Sequence, residues 1–305
     1  MLGCMRTYSL DDVYETRKRR DSWWTVYFVD PVACRVALPV ANHTRITPNG
    51  LTVLSLVLGV VSAACFASNQ LIAGAGFFYL SFMIDCVDGK IARLKGTGTP
   101  FGLWLDYVGD RIRVVLCAAG LAYGQYALTG DVRYVVLGAA VAVLDLFRYV
   151  NAPQMKRVRE AVREEREGPG GLDDPDPLMG PGRLPADDHL LEEDPLLAAD
   201  PLLGPERERA GRVSRPRSLF FRLFRRLNRF LARHRVRSHL VSGIEFHAAV
   251  FVIAPLAGAW ALIPLAALSG LLLLANEVFL VYRMWLFTRR HGAGSPQESR
   301  EHVLV

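Results

Sequence analysis

The sequence predicts an all-α, polytopic membrane protein: six transmembrane helices, an N-terminal interfacial helix, and a long cytoplasmic insert between helices four and five. Three observations predict it. Hydrophobic residues make up 51% of the 305 residues, and they gather in blocks approaching the ~20 residues a helix needs to cross the hydrocarbon layer. Basic residues crowd beside those blocks on one side. Residues 164–216 are dense in Pro, Gly, Asp, Glu and Arg, a composition that cannot bury a core.

The elements follow in order. Residues 1–22 form a charged cytoplasmic tail ending Arg17-Lys18-Arg19-Arg20-Asp21, so no secretory leader is expected. Residues 23–46 form the interfacial helix: the stretch is apolar but broken by Asp30-Pro31, Arg35 and Pro39, with Trp23 and Trp24 suited to head-group level. Residues 47–152 hold four spans, at about 50–67, 71–93, 102–127 and 132–150. The first opens after Thr47-Pro48-Asn49, a helix-start signal. Residues 153–216 are a disordered linker with a loose repeat around Asp176-Pro177-Leu178, Asp194-Pro195-Leu196 and Asp200-Pro201-Leu202. Residues 217–240 form a basic amphipathic surface helix, with Leu219, Leu223, Leu227 and Phe230 on one face and Arg222, Arg226, Arg229 and Arg233 on the other. Residues 241–289 hold spans five (about 243–258) and six (about 264–287), and 290–305 are a second cytoplasmic tail. The turns near Ser68-Asn69-Gln70, Thr129–Arg133 and Ala259-Trp260 contain a single basic residue, Arg133. The positive-inside rule therefore places the other ends of the spans, and both termini, in the cytoplasm.

The net charge is +6, and only four of the 36 basic residues are lysine. Arginines beside apolar blocks point to anionic lipid head groups as partners and away from nucleic acid. Cys4, Cys34, Cys65, Cys86 and Cys117 are far apart and form no CxxC, so neither a zinc site nor a disulfide framework is expected.

The chemistry lies between spans two and three, in Asp85-x2-Asp88-Gly89-x2-Ala92-Arg93-x8-Gly102-x3-Asp106-x3-Asp110. Residues three or four apart share a helix face, so Asp85 faces with Asp88, and Asp106 with Asp110. An antiparallel pair of helices joined by the short loop 95–101 would bring the two faces together. Four carboxylates in a low dielectric require cations. Hard oxygen ligands select Mg²⁺ or Mn²⁺, and two ions sharing carboxylates clamp the attacking and leaving oxygens of a phosphoryl displacement. Gly89, Ala92 and Gly102 leave room beside the aspartates, and Arg93 is placed to meet a phosphate.

This spacing resembles the signature of the CDP-alcohol phosphatidyltransferase family. Thr47-Pro48-Asn49 with Thr52 is also like that family. The resemblance implies that Asp85, Asp88, Asp106 and Asp110 bind two divalent cations and that Asp110 is also the general base. It implies that Asn49, Thr52, Asp88, Gly89, Ala92, Arg93 and Gly102 line a pocket for the CDP of a lipid donor. It implies a small alcohol as acceptor, CMP as leaving group, and a homodimer. The insert at about 160–216 departs from the short connection usual in the family.

For the acceptor, the excess of arginine suggests a phosphorylated polyol such as inositol phosphate or glycerol phosphate. The candidates are Arg148, Lys156, Arg157 and Arg283, with Arg111 and Arg113 also near the cytoplasmic ends. Arg148 lies three residues after Asp145 and is equally placed to pair with it. Glu245, His247, Asn276 and Glu277 either join helices by hydrogen bonds or contact the acceptor. Two rival readings stand beside the enzyme: a catalytically inactive relative acting as a membrane scaffold, and a cation-coupled transporter. The plasma membrane is the expected location.

Overall fold

The computed structural model describes residues 7–18, 20–167, 235 and 242–292. Every regular element among them is helical: α1 (Leu10–Glu15), α2 (Asp30–His43, entered through a π-turn at Thr25–Val29), α3 (Pro48–Ala67), α4 (Leu71–Lys95), α5 (Pro100–Thr129), α6 (Arg133–Glu167), α7 (Gly243–Ala257, with a π-turn at Ala249–Ile253) and α8 (Ala259–Gly292). The linker from 168 onward, the basic helix expected at 217–240 apart from Arg235, and the tail beyond 292 lie outside the described residues.

Five helices (α3, α4, α5, α6 and α8) are long and apolar enough to cross a membrane, so the chain reads as a multi-pass membrane protein. At 1.5 Å per residue, the 20 residues of α3 span about 30 Å, the hydrocarbon thickness. Of the six expected spans, the fifth, about 243–258, is the one too short to count among these five. The apolar block from 243 onward is cut at Gly258, whose φ of +106° ends the helix. That leaves α7 as a short, buried segment seated against α4 and α8, with Phe251 against Phe78 at 4.7 Å. One correction concerns the linker boundary. Helix α6 runs through Pro153 to Glu167 and does not stop near 152. Residues 154–167 are nearly all strong helix formers, and they carry the helix on past the apolar span. The charged N-terminal tail also contains a helix: Ser9 and Asp12 form a capping box for α1, and Val13 is fully buried.

Span starts are written in the same way twice. Thr47 accepts from Gly50 N at 3.2 Å and Thr99 accepts from Gly102 N at 3.0 Å, each with proline at the first helical position. Helices α4 and α5 stop at left-handed glycines, Gly96 and Gly130. After Gly130, Asp131 takes the guanidinium and the backbone N–H of Arg133 at 2.7 and 2.9 Å, which hold its carboxyl below the usual carboxylate range.

The centre of the bundle is α3, packed against both α4 and α5, whereas α4 and α5 approach each other little directly. Small residues permit this. A side chain at Gly120 or Gly124 would begin 2.3 Å from Ala63 O or 2.1 Å from Phe66 O. Ser62 donates to Gly74 O at 2.7 Å and Ser81 donates to Ser55 O at 2.6 Å, locking α3 to α4. Helix α2 is fixed to α4 by a buried ion pair, Lys90 Nζ to Asp30 Oδ1 at 2.7 Å. Arg235 joins the same carboxylate at 3.6 Å, donates through Nε to Lys18 O at 3.1 Å, and accepts from Asp21 N at 2.9 Å.

Candidate active site

The aspartates stand where the C-terminal part of α4 and the N-terminal part of α5 flank the start of α3. One carboxylate oxygen from each of Asp85, Asp88 and Asp106 lies within 4.8 Å of the others. The two helices do not meet face to face, as the loop alone suggested. They converge across α3, which leaves a cavity lined by Thr52, Ser55, Leu56, Asp85, Leu105, Asp106, Gly109, Asp110 and Arg113. Thr52 donates to Asp88 Oδ2 at 2.6 Å, and Ser55 lies 3.4 Å from Asp85 Oδ1. Three carboxylates this close, supported by hydroxyl donors, form a hard-oxygen set that suits a divalent cation such as Mg²⁺ or Mn²⁺.

Asp110 lines the same cavity but stands outside that trio. It is ion-paired with Arg113, one turn along α5, and Arg111 Nη2 lies 3.8 Å away. Arg113 is buried, with Nη1 at 3.5 Å from Asp85 Oδ1 and 3.2 Å from Ser81 Oγ.

The remaining pocket residues are placed as follows. Asn49 packs on Gly102 so closely that a side chain there would begin 2.4 Å from Asn49 Oδ1. The Arg93 guanidinium lies beside Gly89, and its Nε donates to Thr16 O at 2.9 Å, so the segment after α1 closes over this end of α4. Ala92 is half-buried on the last turns of α4.

Of the basic residues considered for the acceptor, Arg113 lines the cavity, and Arg148, Lys156, Arg157 and Arg283 are not part of its lining. Arg148 Nε is 3.7 Å from Glu277 Oε1, and its guanidinium fills the space that a side chain on Gly243 would take. Lys156 is 3.7 Å from Glu160, Arg157 is exposed, and Arg283 is half-buried on α8. Asp145 pairs with Arg111 at 2.5 Å and with His247 at 2.7 Å. Arg111 also lies over the Tyr149 ring at 3.7 Å. Glu245 caps α7 and accepts from Trp23 N at 3.1 Å, while Glu277 accepts from Asn151 at 3.0 Å. Glu245, His247 and Glu277 therefore join separate elements. Sequence reasoning missed Ser55, whose only signal was its position one turn after Thr52. It also missed Arg113 as a counter-ion, although Arg113 stands one turn after Asp110.

The comparisons with known proteins agree with this geometry. The family model described as CDP-alcohol phosphatidyltransferase matches residues 45–166. Archaetidylinositol phosphate synthase of Methanothermobacter thermautotrophicus is 34% identical over 105 residues, covering 34% of this chain and 50% of the relative. Phosphatidylinositol phosphate synthase of Mycobacterium tuberculosis is 35% identical over 82 residues, 26% of this chain and 38% of the relative. CDP-diacylglycerol–serine O-phosphatidyltransferase of Helicobacter pylori is 28% identical over 105 residues, 32% of this chain and 44% of the relative. The chain thus spans half or less of the length of these relatives. The matched segment holds α3, α4, α5 and α6 with the whole aspartate cavity, so it is this part of the chain that is similar to the CDP-alcohol phosphatidyltransferase family.

Proposed function

We propose that the protein works in phospholipid synthesis, moving a phosphatidyl group from a CDP-alcohol such as CDP-diacylglycerol to an acceptor alcohol with release of CMP. The observation that carries this reading is the meeting of Asp85, Asp88 and Asp106 within 4.8 Å beneath the Thr52 hydroxyl. Bound there, Mg²⁺ or Mn²⁺, two ions in the full reaction, would neutralise the pyrophosphate and the departing CMP.

The chain's own residues supply the rest. Asn49, Thr52, Gly89, Ala92, Arg93 and Gly102 surround the donor's cytidine and phosphates, the glycines giving room beside the carboxylates. Asp110 takes the proton of the acceptor hydroxyl. That oxygen forms its bond to the β-phosphorus as the bond from phosphorus to the CMP oxygen breaks. Catalysis rests mainly on positioning and charge neutralisation. The acceptor is a phosphorylated polyol such as inositol phosphate or glycerol phosphate. Two of the relatives above are named archaetidylinositol phosphate synthase and phosphatidylinositol phosphate synthase, and Arg148, Lys156, Arg157 and Arg283 are the cations proposed for the acceptor. Helix α7 supplies a sixth crossing together with its flanking residues. The site and both termini face the cytoplasm of the plasma membrane, the insert from 168 onward lies on that side, and the protein is a homodimer.

The test uses the full chain in nanodiscs with CDP-diacylglycerol, Mg²⁺ and a panel of acceptors. Acceptor-dependent CMP release, abolished by EDTA and restored by Mg²⁺, is expected. Absence of CMP with every acceptor would sink the reading. Faster release with serine than with inositol phosphate would remove the phosphorylated acceptor alone.

A further inference from the structure

We propose that Arg113 is a tethered cation that takes the place of a second metal ion while no donor is bound. The inference rests on the metal-dependent reading above and adds to it how the site is held between turnovers. Four carboxylates line one cavity, but they are not equivalent. Asp85, Asp88 and Asp106 close on one another within 4.8 Å. Asp110 lies outside the trio and is ion-paired with Arg113. The same guanidinium reaches Asp85 Oδ1 at 3.5 Å. Arg113 therefore bridges two carboxylates of the set, one on α4 and one on α5.

The position is built for this side chain. Ser81 of α4 receives Nη1 at 3.2 Å. The aliphatic stem lies on Gly59 of α3, where a Cβ would sit 2.7 Å from Arg113 Cγ. Only 4% of the residue is exposed, and its Nε has no hydrogen-bond partner. A buried guanidinium with an unmet donor is costly. Here the compensating partners are the Asp85 and Asp110 carboxylates and one hydroxyl. A fixed positive charge at that point repels a second divalent ion and occupies Oδ1 of Asp110. When a donor brings its own negative pyrophosphate, the balance reverses and Arg113 can release Asp110.

The test counts Mn²⁺ bound to the detergent-purified full chain by electron paramagnetic resonance, without nucleotide. One ion per chain is expected for the native protein and two for Arg113→Gln. Gly59→Ala, which crowds the Arg113 stem, is expected to hold two ions at an Mn²⁺ concentration at which the native chain holds one, and a single ion on this variant would count against the proposal. Two ions on the native protein, or one on monodisperse Arg113→Gln, would overturn the proposal while leaving Mg²⁺-dependent CMP release intact. No bound Mn²⁺ at all would overturn both readings. If Arg113→Gln aggregates, the native count and the Gly59→Ala titration decide between them.

Discussion

Thr52 donates its hydroxyl to Asp88 Oδ2 at 2.6 Å, so the first span of the bundle holds a carboxylate of the second in place. The bond crosses from α3 to α4 in a buried position. A hydrogen bond to a charged group contributes about 1.5–3 kcal/mol. Thr52→Val keeps the shape and removes the donor. CMP release by this variant is expected to fall roughly 10- to 100-fold, with weaker Mn²⁺ uptake, and thermal stability is the control.

Asp106 belongs to the carboxylate trio and has no basic partner among the ion pairs of the described residues. Asp106→Asn keeps the volume and removes the charge that a cation needs. A loss of about 10²–10³ in turnover is expected, together with lower Mn²⁺ affinity by magnetic resonance. Full activity in this variant would remove Asp106 from the site.

Asp145 holds Arg111 at 2.5 Å and His247 at 2.7 Å, joining α5, α6 and α7. Removing one partner of a buried pair costs about 3–5 kcal/mol, because the other charge is left unpaired. Asp145→Ala is therefore expected to lower the unfolding midpoint in detergent sharply. Asp145→Ala with Arg111→Met is expected to lose less than the sum of the single changes.

Gly124 approaches the α3 backbone so closely that any side chain meets Phe66 O at 2.1 Å. Gly124→Val is expected to push α5 from α3 and, through α5, to move Asp106 and Asp110, so CMP release collapses at a site remote from the chemistry. Gly76→Ala, with nothing within 4 Å, is the matched control. It is expected to change stability by no more than about 0.5 kcal/mol.

Much of this architecture was legible in the residues, for reasons that are local. Thr47-Pro48 fixes the start of α3 by its cap and its ring. The three- and four-residue spacings of the aspartates fix which share a face. What was not legible depended on distant parts of the chain. Gly120 and Gly124 draw α5 onto α3, so α3 stands between the two carboxylate-bearing helices, and nothing in the connecting loop reports that. Arg93 read as a phosphate ligand because it follows Gly89 by one turn, yet its Nε meets Thr16 O, 77 residues earlier. Arg113 read as an acceptor cation, but Gly59 and Ser81 turn it onto Asp85 and Asp110.

Arg235 is grasped by Lys18, Asp21 and Asp30, and from Gly243 the chain forms α7, packed against α4 and α8. The two halves of the polypeptide are thus fastened on both sides of the stretch 168–234. A protease nick there, or expression of the halves as two separate pieces, should still yield a single particle on size exclusion.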